Sequence, residues 1–242
     1  MAKGLVIIPS YNEAVNIHKI INRILSVSDQ LEVLVIDDNS PDKTALIVEE
    51  LGKHNPRIHL IQRPRKMGLG TAYVVGFGHV LEKKYDFAFE MDADFSHDPG
   101  DLPRFIELMD RFDLVIGSRY VDGVSVVNWP MKRLLLSFFA CFFARLVIGI
   151  PIRDLTSGFK CYSRKALQSV NWKKFHVDGY GFQIQSVFAV QSARLPIKEI
   201  PIVFVERRAG ISKMSKRIIW EAFWLVWKLR LVRMFNKRWL LT

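Results

Sequence analysis

The 242 residues are enough for one large domain with a substantial core, or for one domain with an appendage. Half of them are hydrophobic and 24% are charged, which excludes a disordered chain, and the net charge of +11 calls for an anionic partner: a phosphorylated substrate, an acidic membrane surface or nucleic acid. Cys141 and Cys161 stand in apolar or strand-like surroundings without CxxC or Cys/His spacing, which argues for reduced core thiols and against a disulfide framework or a zinc site.

Met1 to Gly4 lead straight into a strand, so no signal peptide is expected. Leu5 to Pro9 form that strand. Asn12 is expected to cap a helix carrying Ala14, Ile17, Ile20, Ile21, Ile24 and Leu25 on one face. Leu31 to Ile36 form a second strand, ending in Asp37 and Asp38. Ser40 as cap, with Pro41 at the first helical position, is expected to open the next helix. Arg57 to Gln62 make a third strand, and Gly68 to Ala72 open a helix that runs to about Lys84. Asp86 to Met91 form a fourth strand, Asp101 to Arg111 a helix, and Asp113 to Gly117 a fifth strand.

Alternating strands and helices with short connections predict a mostly parallel sheet covered by helices on both faces. Such folds place function beyond the carboxyl ends of their strands. Those ends carry Tyr11 and Glu13, Asp37 and Asp38, Asp92 and Asp94, and Ser118 and Arg119. Asp92 and Asp94 are one residue apart, so in extended chain they point the same way. Two carboxylates facing one point repel unless a cation lies between them, and their hard oxygens suit Mg²⁺ or Mn²⁺, which completes its shell with phosphate and water. No glycine-rich loop ends in Gly-Lys-Ser/Thr, and Tyr73 stands where a dinucleotide fingerprint needs its third glycine, so phosphate neutralisation falls to the metal and to basic side chains.

The second half differs in texture. Leu134 to Ile150 are strongly apolar but short for a membrane span, with Arg145 inside. They predict a helix lying on a membrane surface or against the core. Asp154 to Lys160 read as a loop entering a strand, Gly179 to Arg194 as a helix, and Ile197 to Val205 as an edge strand interrupted by Pro201. Glu206 to Ser215 form a polar loop with Arg207, Arg208, Gly210 and Lys213. Residues 216–242 form a separate tail, in which Trp220, Trp224 and Trp227 precede Lys228, Arg230, Arg233, Lys237 and Arg238. Basic, tryptophan-rich helices bind anionic lipid surfaces, and the alternatives for this one are packing on the domain or on a partner subunit.

Six segments occur in order: Pro9-Ser10-Tyr11-Asn12-Glu13, Asp37 to Asp42, Gly68 to Tyr73, Met91 to His97, Gly117 to Tyr120, and Asp154 to Phe159. In these the chain resembles the dolichol-phosphate (polyprenol-phosphate) mannosyltransferases of glycosyltransferase family 2, from about residue 4 to 215. The resemblance implies a GT-A fold over residues 1–215, followed by the amphipathic tail.

It also implies roles at matching positions. Pro9, Tyr11, Glu13, Ile36 and Asp38 would hold the donor nucleoside. Asp92, Ala93 and Asp94 would meet ribose, diphosphate and metal, with Asp94 the main metal ligand. Ser96 would be the third ligand, at a position where family members often carry Gln. Arg119, Arg207 and Lys213 would contact phosphates, and Arg133 and Ser137, with Arg119, the acceptor phosphate. The implied reaction passes mannose from GDP-mannose to a polyprenyl or dolichyl phosphate with inversion, at the cytoplasmic face of a membrane to which the protein is peripherally bound. A membrane subunit is a candidate partner; nucleic acid is not expected. The rivals are a polyprenyl-phosphate glucosyltransferase or another sugar transferase of this family and, outside enzymes, a basic membrane-binding protein.

Overall fold

A computed structural model describes residues 2–175, 179–206, 216–235 and 240–241, and of residues 216–219 the backbone alone. The elements are β1 (Gly4–Ser10), α1 (Ile17–Val27), β2 (Leu31–Asp37), α2 (Thr44–His54), β3 (Ile58–Gln62), α3 (Leu69–Lys83), β4 (Phe87–Glu90), α4 (Leu102–Ile106), β5 (Leu114–Ser118), β6 (Val126–Val127), α5 (Met131–Ile148), β7 (Lys160–Ser163), α6 (Arg164–Ser169), α7 (Gly179–Ser192), β8 (Ile197–Pro201), β9 (Phe204–Val205) and α8 (Lys216–Phe235).

The main sheet has seven strands in the order β3-β2-β1-β4-β7-β5-β8. It is parallel except at β7, which runs antiparallel to both β4 and β5. The mostly parallel α/β architecture of the GT-A type is therefore present. Alternate residues of β1 face opposite cores: Leu5 and Ile7 join α3, α5, α6, α7 and α8 on one side, while Val6 and Ile8 join α1, α2 and α4 on the other. This two-sided burial is why the inner strands read as unbroken apolar runs. Pro201 ends β8, which is the sheet edge, where a residue without an N–H is tolerated.

Several boundaries differ from the sequence expectation. Asn12 does not cap α1; it sits at φ +64°, and the helix starts at Ile17. Ser40 and Pro41 do not start α2, which begins at Thr44 after Lys43 in the left-handed region. The polar side chains are used between loops instead. The backbone N–H groups of Asn12, Glu13 and Ala14 donate to Ser40 Oγ, Thr44 Oγ1 and Asp42 Oδ2 at 3.0, 3.0 and 2.9 Å. The helix expected over 101–111 is regular over 102–106 and continues as turns.

The tail is packed on the body. Leu225, Val226 and Leu229 of α8 are buried in the core shared with α5 and α7, and Leu241 bridges to Val170. Arg233 Nη1 donates to Ile148 O at 2.6 Å, closing the C-terminal end of α5. Among the described residues no helix is long and apolar enough to cross a membrane.

Candidate active site

The carboxyl ends of β1, β2 and β4 enclose a polar cleft of about 190 Å³. Pro9, Tyr11, Glu13, Asp38, Asp92, Ala93 and Asp94 all line it, so seven of the donor residues expected from the sequence converge. The stapled 12–14 turn holds Tyr11 and Glu13 in place as one wall. Ile36 is not among them: its side chain is wholly buried in the core, because its neighbours on β2, Val35 and Asp37, face the other way.

Asp38 is less available than its position suggested. Arg63 Nε donates to its Oδ1 at 2.5 Å and Met67 N to its Oδ2 at 3.0 Å. The same guanidinium donates to Thr71 Oγ1 at 2.7 Å and to Gly68 O at 2.9 Å, so Arg63 ties the end of β2 to the start of α3. Arg63, Lys66, Gly68 and Leu69 complete the cleft, and Lys66 Nζ lies 4.3 Å from the centre of the Tyr11 ring. Arg63 directly follows β3, so the strand-end rule already pointed to it.

Asp92 and Asp94 stand half-buried at the end of β4. Asp92 N donates to His97 Nδ1 at 3.3 Å, and Ser96 N donates to Asp94 Oδ1 at 3.0 Å. Burial pushes the His97 imidazole down to about 4, against the pull of Asp94, so the ring is neutral and its Nδ1 accepts. Ser96 is buried and lies off the cleft lining, so its expected place as third ligand is not met in this arrangement. Among the described residues no group of three His, Cys, Asp or Glu side chains could hold a metal. Two carboxylates with the remaining positions left to phosphate and water is nevertheless the donor set that Mg²⁺ or Mn²⁺ takes.

A second, larger hollow of about 300 Å³ lies between α5, α7 and α8. Phe139, Phe143, Ile184, Phe223 and Val226 make it apolar, and Trp129, Arg133, Ser137 and Thr156 supply its polar groups. Arg133 and Ser137 are thus brought together as expected. Arg133 is paired with Glu206 and lies 4.2 Å over the Trp129 ring; Ser137 accepts the Tyr120 hydroxyl at 2.8 Å.

Arg119 lines neither hollow. Its Nε and Nη2 donate to the two oxygens of Asp154 at 2.7 and 2.6 Å, and Nη2 also reaches Thr156 Oγ1 at 2.7 Å. The pair is buried. Burial alone would raise the Asp154 carboxyl, but Arg119 outweighs it and holds the group below the usual range. Arg119 is thus engaged in a buried ion pair, and its hydrogen bond to Thr156 links it to the groove. Arg207 and Lys213 lie outside the described residues.

One loop joins the two hollows. Thr156 faces the groove, while a Cβ added at Gly158 would lie 3.9 Å from Asp92 Oδ2 and 3.6 Å from His97 Cε1. Thr156 and the Gly158 contacts with Asp92, absent from the sequence reading as site features, follow from β7 running antiparallel beside β4.

The model of the family described as "Glycosyl transferase family 2" matches residues 5–170. A polyprenol monophosphomannose synthase of Mycolicibacterium smegmatis is 42% identical over 232 residues, covering 94% of this chain and 88% of the relative. An undecaprenyl-phosphate mannosyltransferase of Micrococcus luteus is 40% identical over 218 residues, covering 90% of each. Among solved structures, glucosyl-3-phosphoglycerate synthase from Mycobacterium tuberculosis with Mn²⁺, UDP and phosphoglyceric acid superposes with a TM-score of 0.72 at 17% identity, covering 95% of this chain and 78% of that one. That likeness concerns the fold.

Proposed function

The chain belongs to glycosyl transferase family 2, and from that premise we propose that it transfers mannose from GDP-mannose to a polyprenyl or dolichyl phosphate, with inversion at the anomeric carbon. The named activities of the two bacterial relatives support a polyprenyl-phosphate mannosyltransferase. The observation that carries the reading is the Asp154–Phe159 loop, which separates a polar, carboxylate-lined cleft from an apolar groove with Arg133 and Ser137 among its lining. In this reading the sugar nucleotide takes the first and the prenyl chain with its phosphate the second.

The chemistry needs little from the protein at the nucleophile. A phosphomonoester with a second pKa near 6 is about 90% dianionic at pH 7, so no side chain has to take a proton. Asp154 matches that expectation: it is buried against Arg119 and serves to position it, not as a base. Asp92 and Asp94 would hold a divalent cation, a reading supported also by the Mn²⁺ in the solved structure of the same fold. When bound, such a cation supplies charge stabilisation to the departing diphosphate. The chain's own part is to align the donor between Tyr11, Lys66 and Asp94 and to bring Arg133 and Ser137 to the acceptor phosphate. Arg207 and Lys213 are proposed as further phosphate contacts.

We further propose peripheral association with the cytoplasmic face of a membrane. Phe138, Phe139, Phe142 and Leu146 of α5 and Trp220, Trp224, Trp227 and Leu231 of α8 are exposed, in elements that also carry Lys132, Arg145, Lys228 and Arg230. Exposed aromatics among cations suit an anionic lipid interface.

Radiolabelled GDP-mannose and UDP-glucose, each offered with a short polyprenyl phosphate, test the reading. Mannosyl transfer is expected; glucosyl transfer alone would assign the donor to the rival.

A further inference from the structure

Two arginines stand at the polar end of the apolar groove, Arg133 in its lining and Arg119 behind Thr156, and each already faces a carboxylate. Arg119 is locked on Asp154. Its Nε and Nη2 take the two carboxylate oxygens, its backbone N–H adds a third bond at 3.0 Å, and the side chains are 5% and 0% exposed. Arg133 is held more loosely. Its Nη1 alone donates to Glu206, the two side chains are 19% and 25% exposed, and its Nε is buried without a hydrogen-bond partner. A guanidinium is best satisfied by two parallel bonds to one anion, so this contact leaves the fork half used. Among the described residues Arg133 is the one charged side chain lining the groove, and Glu206 does not line it.

With both pairs closed, the charges of these four groups cancel. A phosphomonoester is largely a dianion at neutral pH, and one entering the groove meets no net positive charge here unless a pair opens. Burial decides which pair that is. Opening the first would strand a wholly buried carboxylate, at a cost of several kcal/mol. Opening the second returns a partly exposed carboxylate to water, and exposed pairs contribute little. The Glu206 backbone is fixed meanwhile: its N–H donates to Val127 O at 3.1 Å, and Val205 N, just before it, donates to Ser96 O at 3.4 Å. Only the side chain has to turn.

We propose that Glu206 is the exchangeable counter-ion of the acceptor site: its carboxylate occupies Arg133 while the groove holds no phosphate, and yields the guanidinium to the phosphate of the lipid acceptor. This rests on the reading of Arg133 as an acceptor-phosphate residue. In the proposed transfer a phosphate oxygen forms the bond to the anomeric carbon as the bond to the donor diphosphate breaks, the electron pair leaving with the diphosphate. The acceptor therefore enters as a dianion and leaves as a phosphodiester with one negative charge. That is the charge of the carboxylate it displaced, so Glu206 regains Arg133 and helps to release the product.

Initial transfer rates with a short polyprenyl phosphate, and inhibition by its mannosylated product, are measured on the full-length protein, with thermal unfolding as the check on folding. Glu206→Gln is expected to lower the acceptor KM and the product's inhibition constant by the same factor, about threefold to fivefold, because both ligands displace one carboxylate. Arg133→Met should raise the acceptor KM, and adding Glu206→Gln to it should change nothing further. Glu206→Ala replaces Glu206→Gln if that variant does not fold. An acceptor KM unchanged or raised in folded Glu206 variants, while Arg133→Met raises it, overturns the proposal alone and leaves Glu206 a structural partner of Arg133. A KM unmoved by Arg133→Met overturns the acceptor-site reading, and this inference with it.

Discussion

On the donor side, three consecutive backbone N–H groups of the 12–14 turn are held by Ser40, Thr44 and Asp42, and Arg63 spans from Asp38 to the start of α3. On the acceptor side, Phe138, Phe139, Trp220 and Trp224 are turned to solvent and the groove is walled by three helices. The donor cleft is held by directional bonds within the chain, as electrostatic preorganisation requires. The groove is held by non-directional apolar contact, which suits a long chain of repeating units and leaves a surface for something else to cover.

The largest effect expected from that contrast is at the cleft. Asp94→Ala should lower transfer by about 10³-fold, with the unfolding transition close to wild type, because Asp94 is half-exposed and outside the core. Radiolabelled transfer and circular dichroism read the two quantities. A variant with more than a tenth of wild-type transfer would remove Asp94 from the chemistry.

Next comes the ion pair behind the joining loop. Asp154→Ala leaves the Arg119 guanidinium buried without its partner, a loss of about 3–5 kcal/mol by precedent for broken buried pairs. The effect has a pH signature. Because the folded-state carboxyl is depressed below its ordinary 3.8, its contribution is full above that value and is lost as pH falls through the folded one. Acid unfolding curves of wild type and variant should therefore converge at low pH. Curves that stay parallel would deny the pair its stabilising role.

Smaller still is the effect at the open face. Replacing Trp220, Trp224 and Trp227 together with Ala should reduce binding to vesicles containing anionic lipid by about tenfold or more, while nucleotide binding in the cleft is unchanged. Equal flotation of variant and wild type would assign these side chains to a protein partner instead.

The same contrast sets what could be read from the residues alone. Asp92 and Asp94 were legible because the spacing of side chains along a strand is fixed, and Tyr11, Glu13 and Asp38 because strand ends share a rim. Asn12 and Ser40 were misread as helix caps: Ser40 Oγ is taken up by Asp37 three residues before it and by the Asn12 N–H 28 residues away in another loop, a pairing that only the packed chain shows. The Arg119–Asp154 pair was not legible, since only the packed chain brings the two together. The groove could not be read at all as a cavity, because α5, α7 and α8 are distant in sequence and meet only in the folded core.

The smallest expected effect lies under the cleft and concerns the cost of its foundation. Burial lowers the Lys160 ammonium from 10.5 to about 8, against the pull of Glu90, and burial raises Glu90 from 4.5. Between pH 8 and 10.5 the unfolded chain keeps the lysine proton while the folded chain has released it, so this group makes stability rise with pH across that window. In Lys160→Met that rise is absent. The stability of wild type relative to the variant should therefore grow from pH 8 to 10.5. Denaturant midpoints across that range measure it. A constant difference would mean that Lys160 does not change protonation there and that its charge is compensated more fully than its hydrogen bonds to Gln183 and Ser186 and the nearby Glu90 account for.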